Sequence, residues 1–165
     1  MSEEIVESII AEAKRKCTDS LYAGVILFEW SKSLRLRKNM FLFIEVSLGV
    51  GCIISAQLEN PFLAALFGGA AGLGPFIVDA FGLDKEMNNS KRSANEFRKM
   101  SDKFRRVEGI WSKESVTVLK RRFEEAVQEY ESVCDLAPIA PSRFFKKAQK
   151  KIKAGDYTHD DTKSD

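Results

Sequence analysis

At 165 residues and a net charge of +2, the chain has room for one membrane or helical unit and one appendage, and not for a second large domain. Its 30% charged residues and mean hydropathy of −0.22 resemble an ordinary soluble domain only because the charge is packed into the flanks of one apolar block. Cys17, Cys52 and Cys134 are isolated and His159 is the sole histidine, so neither a disulfide framework, a zinc site, a cofactor nor an enzyme with a nucleophile–base pair is expected, and a reducing compartment is.

Ser2 to about Trp30 carries Ile5, Ile9, Ala13 and Cys17 near helical spacing, with Glu12, Lys14, Arg15 and Lys16 on other faces. This predicts an amphipathic helix. Its opening residues are acidic rather than basic and then apolar, so no cleavable signal is expected. Leu21 to Trp30 is apolar on most sides yet too short to cross a bilayer; Tyr22 and Trp30 are expected at an interface, or the segment packs on the spans. Basic Ser31 to Asn39 leads onward, completing an interfacial or cytoplasmic region 1–39.

Met40 to Leu83 is the apolar block, broken once at Glu59-Asn60-Pro61. Met40 to Leu58 and Phe62 to Leu83 each approach the ~20 residues that cross ~30 Å of hydrocarbon as a helix. So short a break permits only a hairpin, giving a transmembrane region 40–83. Lys32, Arg35, Arg37 and Lys38 precede the first span and Lys85, Lys91 and Arg92 follow the second, while the turn offers only Glu59. The positive-inside bias predicts a multi-pass protein of the inner (plasma) membrane with both termini in the cytoplasm.

Small residues line the spans. Ser47, Gly51 and Ser55 recur every fourth position on the first, and Ala64, Gly68 and Gly72 on the second. Such stripes let membrane helices approach closely, either closing the hairpin on itself or joining copies. Each span also holds one acid, Glu45 and Asp79, both towards the cytoplasmic end. An ionised carboxylate costs roughly 2.5–3.5 kcal/mol at the centre of the hydrocarbon on insertion scales, and less near the end of a span. Two readings stand side by side: a carboxylate ring lining a water-filled path in an oligomer, or acids that snorkel or pair with Arg37, Lys38 or Lys85. Pro75, among Gly68, Gly69, Gly72 and Gly74, predicts a kink that could serve as a gate.

Region 84–137 shows two amphipathic runs. The first takes Met87, Ser90, Ala94, Phe97, Phe104 and Trp111; the second takes Val116, Leu119, Phe123, Val127, Tyr130, Val133 and Ala137. Gly109 and Ser112 between them suggest a stop and an N-cap, and the two exposed stripes predict an antiparallel pair or a coiled coil between protomers, the alternative being one bent helix in a bundle. Region 138–165 opens with prolines that cannot continue a helix. It continues as a basic helix from Ser142 to Ala154 and ends in an acidic tail, Asp156 to Asp165, expected to be disordered. Arg143, Lys146, Lys147, Lys150 and Lys151 on that helix suit anionic lipid, or a phosphate ligand such as nucleic acid or a nucleotide, or merely a solvated face.

The amphipathic leader, the two spans with a tight turn, the helix from Ser93-Ala94-Asn95-Glu96-Phe97, and the closing Ala137-Pro138-Ile139-Ala140-Pro141 before a basic helix resemble the SLATT domain family over nearly the whole chain. The resemblance implies a pore-forming effector of bacterial antiphage conflict systems. It also implies partners such as a nucleotide-messenger synthase, a sensor protein or a reverse transcriptase, and it supplies no catalytic residues. The expected fold is all-α: a transmembrane hairpin with an amphipathic N-terminal helix and an oligomeric cytoplasmic extension. Two rivals are a non-conducting anchor or scaffold, and a soluble helical assembly with Met40 to Leu83 as its buried core.

Overall fold

The computed structural model describes residues 2–155, and these are all-α. The chain runs through α1 (Ser2–Gln57), α2 (Pro61–Gly72), α3 (Gly74–Ala80), α4 (Leu83–Gly109), a 3-10 turn (Trp111–Lys113), α5 (Val116–Leu136) and α6 (Arg143–Lys153). It divides into two compact units, one formed by Ser31–Asn88 and the other by the segments on either side.

The leader and the first span form one unbroken helix, α1. The connecting Ser31 to Asn39 contains no proline or glycine and is rich in Leu, Arg and Lys, all good helix formers, so nothing there interrupts the hydrogen-bond ladder.

The helical unit is built on α1 up to Trp30, α4, α5 and α6. Its core joins Ile9 and Ala13 of α1, Met100, Phe104 and Val107 of α4, and Leu119 and Ala126 of α5. Burying each larger side chain contributes about 1.5–3 kcal/mol. Phe104 stacks edge-on with Phe123 and Tyr130, at 6.3 and 5.9 Å between ring centres, and Phe97 meets Tyr130 at 6.1 Å. These pairs set α4 and α5 antiparallel, the first of the two arrangements that their stripes predict. Small residues bring α1 against α4. A Cβ on Gly24 would stand 3.2 Å from the Ala94 carbonyl oxygen, and the Cys17 thiol donates to the Ser101 carbonyl at 3.4 Å. Leu21 to Trp30 is consumed by this packing: Trp30 is buried here and offers no interfacial anchor.

The caps differ in one place from the sequence reading. Ser112 lies in the 3-10 turn, its hydroxyl donating back to the Gly109 carbonyl, and Ser115 is the N-cap residue of α5. The proline segment ends α5 after Leu136 as expected, and Gly155, at φ 82°, closes α6. The acidic tail lies outside the described residues.

In the unit Ser31–Asn88, the chain reverses over Leu58, Glu59 and Asn60. Glu59 takes a left-handed φ of 56°, its N–H bonding the Ala56 carbonyl, while the Asn60 N–H reaches the Ser55 carbonyl at 3.0 Å. The Asn60 side chain accepts from the Leu63 N–H at 3.2 Å and caps α2, with Pro61 in the first turn where its missing N–H costs nothing. Two stretches, Glu3–Gln57 and Pro61–Lys113, are long and apolar enough to cross a membrane, with mean hydropathies of 1.8 and 1.7 over their most apolar windows. Only 6% and 0% of those windows are buried within the chain, so they are not the covered core of a globular fold.

Candidate functional site in the apolar hairpin

The two arms meet through small residues and one thiol. The Cys52 sulfur donates to the Ala64 carbonyl at 3.3 Å, and a Cβ on Gly68 would sit 3.3 Å from that same sulfur. One on Gly51 would touch the Phe67 ring at 3.4 Å. Gly51, Gly68 and the buried Ser55 therefore lie where the arms are in contact or the turn closes. Ser47 and Gly72 lie elsewhere. Ser47 is exposed and returns its hydroxyl to the Phe43 carbonyl at 2.8 Å, and a Cβ on Gly72 would meet nothing within 4 Å.

Glu45 fits into the gap left by a missing side chain. Its carboxylate lies so near Gly74 that an added Cβ would stand 2.9 Å from Oε2 and 3.0 Å from Cδ. The helix is interrupted at that level: α2 ends at Gly72, Leu73 donates to the Ala70 and Ala71 carbonyls, and α3 restarts at Gly74 with Pro75 in its first turn. The interruption precedes Pro75, as the lost donor at that residue dictates.

Asp79 sits on α3, five residues beyond Gly74, hence about 7.5 Å further along the helix axis than the level of Glu45. It is exposed and makes no side-chain hydrogen bond or ion pair among the described residues. Large apolar side chains along the hairpin are equally open to the outside; Phe43, Phe62 and Phe76 are 74%, 76% and 73% exposed. Lys38, one of the cations that could have answered either acid, instead donates from Nζ to both carboxylate oxygens of Asp84, at 2.7 and 2.8 Å. An exposed pair of this kind contributes up to about 1 kcal/mol in water, but it ties the base of the first arm to the start of α4.

Two acids escaped the sequence reading. Asp84 was hidden among ordinary helix-start residues. Glu29 had a visible signal, a lone carboxylate within the apolar run Leu21 to Trp30. Its side chain is 1% exposed, and Lys147 and Lys151 of α6 reach it at 2.9 and 2.8 Å. The five cations singled out on the basic helix thus separate. Lys147 and Lys151 turn inward to Glu29, while Arg143, Lys146 and Lys150 face out. No group of three or more metal-ligating side chains is present among the described residues.

Compared with known proteins, the chain matches no family profile, no curated protein and no solved structure.

Proposed function

We propose that the chain is an oligomeric membrane effector of bacterial antiphage defence, forming a pore or channel-like path when a partner or ligand triggers it. The observation that carries this reading is Asp79: a carboxylate exposed on an apolar hairpin, with no side-chain hydrogen bond or ion pair among the described residues. Hydrocarbon penalises such a group, by roughly 2.5–3.5 kcal/mol at mid-depth and by less towards the span end where Asp79 lies, and a water-filled lumen shared between copies removes that penalty. Gly72, open on its outer side, supplies a surface where helices of neighbouring copies can approach. Glu45, packed on Gly74 beside the helix interruption before Pro75, belongs to the same path as a gate element.

The basic residues flanking the hairpin favour the inner membrane with both termini in the cytoplasm. The SLATT resemblance supports a defence role and a trigger supplied by a nucleotide-messenger synthase, a sensor protein or a reverse transcriptase. A non-enzymatic role follows from the same resemblance.

Cation flux from liposomes holding the purified chain, with each candidate trigger added in turn, tests the proposal. Wild-type protein is expected to conduct when triggered, and Asp79→Asn to lose several-fold of its cation preference while assembling normally. Silence with every trigger would instead favour a non-conducting anchor that recruits a defence partner through its cytoplasmic helices.

A further inference from the structure

The cations of α6 have two occupations. Lys147 and Lys151 are one turn apart and both reach the buried Glu29. The same side of the helix buries Phe144 and Ala148. Together these contacts fix how α6 is rotated on the helical unit. At 100° per residue, Arg143, Lys146, Lys150 and Lys153 then fall within an arc of about 80° facing away from it. All four are exposed, and none makes an ion pair among the described residues. They form a cationic row about 15 Å long at 1.5 Å per residue.

Apolar side chains are also exposed on α6 and on the segment before it. Phe145 is 50% exposed on α6 itself, and the segment leading into it leaves Leu136 and Ile139 84% and 95% exposed. Cations alone would suit any polyanion. Exposed apolar side chains on the same stretch of chain have no use against a phosphodiester backbone, but they suit the boundary between headgroups and acyl chains.

We propose that the outward face of α6, Arg143, Lys146, Lys150 and Lys153 with Phe145, docks on the anionic phospholipid headgroups of a bilayer. Glu29 is the positioning residue that turns this row outward. The inference rests on the hairpin lying in a bilayer, which would keep such a surface permanently within reach of the chain.

Lysine acylation footprinting reads the surface directly. The full-length protein is placed in nanodiscs of phosphatidylcholine, or of phosphatidylcholine with an equal part of phosphatidylglycerol, and treated with a neutral acylating reagent. Each lysine is then quantified by mass spectrometry, with exposed Lys99 and Lys120 as internal references. Anionic discs should slow acylation of Lys146, Lys150 and Lys153 at least about fivefold, the weight of one cation at an anionic surface. High salt should abolish the difference, and Arg143→Gln should reduce it by about fivefold. Equal rates in both discs would overturn the docking surface, including the case in which the acidic tail occupies the row. So would protection by a single-stranded oligonucleotide in phosphatidylcholine discs without protection by phosphatidylglycerol, which would assign the row to nucleic acid. A chain that does not enter discs at all would overturn the membrane reading as well; insertion with charge-blind acylation would overturn this inference alone.

Discussion

Glu29 shows how one side chain can carry an asymmetry that mutagenesis can expose. Lys147 keeps half of its side chain in solvent, so losing Glu29 lets at least that lysine turn outward. Losing both lysines removes two cations from a carboxylate that is 1% exposed. Lys147→Gln with Lys151→Gln is therefore expected to destabilise the helical unit more than Glu29→Gln, as measured by urea unfolding in detergent. Equal losses would mean that the carboxylate is not effectively buried. Tyr130 offers a second handle. Burial, followed by a hydrogen bond with Cys134, pushes its phenol up to about 12, while Lys16 lies 4.7 Å from the ring centre. A folded value above the unfolded value near 10 favours folding while the phenol is protonated. Its contribution is complete below pH ~10 and is lost as pH rises towards 12. Phenolate absorbance should accordingly show a component ionising towards pH 12 that Tyr130→Phe removes, and a titration that Tyr130→Phe leaves unchanged in that range would remove the argument. Neither residue declared its role in the sequence. Burial of Glu29 depends on α6 folding back over more than a hundred intervening residues, and no local pattern encodes that return.

Among the elements, the legible features were those set by local chemistry. Asn60-Pro61 after the apolar run marked the start of α2, the double proline marked the end of α5, and three–four spacing marked α4 and α5. What escaped was continuity and the exact cap. α1 runs through a junction that a change in polarity made look like a boundary, and Ser115 displaced Ser112 because the 3-10 turn consumes three residues first. The small-residue stripes were visible, but spacing alone could not say which members face the other arm. Geometry now separates Gly68, against the Cys52 sulfur, from Gly72, which is open. Gly68→Leu should wedge the arms apart and lower the thermal stability of monomer and assembly alike. Gly72→Leu should leave the monomer untouched and reduce assembly on native electrophoresis. An oligomer unaffected by Gly72→Leu would place any contact between copies on another face.

At the scale of the molecule, two kinds of surface coexist in one short chain: a helical unit with a packed aromatic core, and an apolar hairpin whose side chains are left uncovered. The three thiols report on that division. Cys134 is exposed on α5, whereas Cys52 is engaged between the hairpin arms. In inverted membrane vesicles, which expose the cytoplasmic face, a water-soluble maleimide should modify Cys134 and spare Cys52. In intact spheroplasts it should modify neither. Rapid labelling of Cys52 from either side would mean that the hairpin is wet and would remove the membrane reading with it.

The turn at Glu59 sets one last limit. Because the chain reverses within Leu58, Glu59 and Asn60, a hairpin embedded from the cytoplasm shows the outside world little more than a single acidic knuckle. An external receptor, toxin or antibody would find almost nothing there to grip. Under the proposed topology, with both termini in the cytoplasm, a trigger would have to arrive from within the cell, through the helices that stay behind.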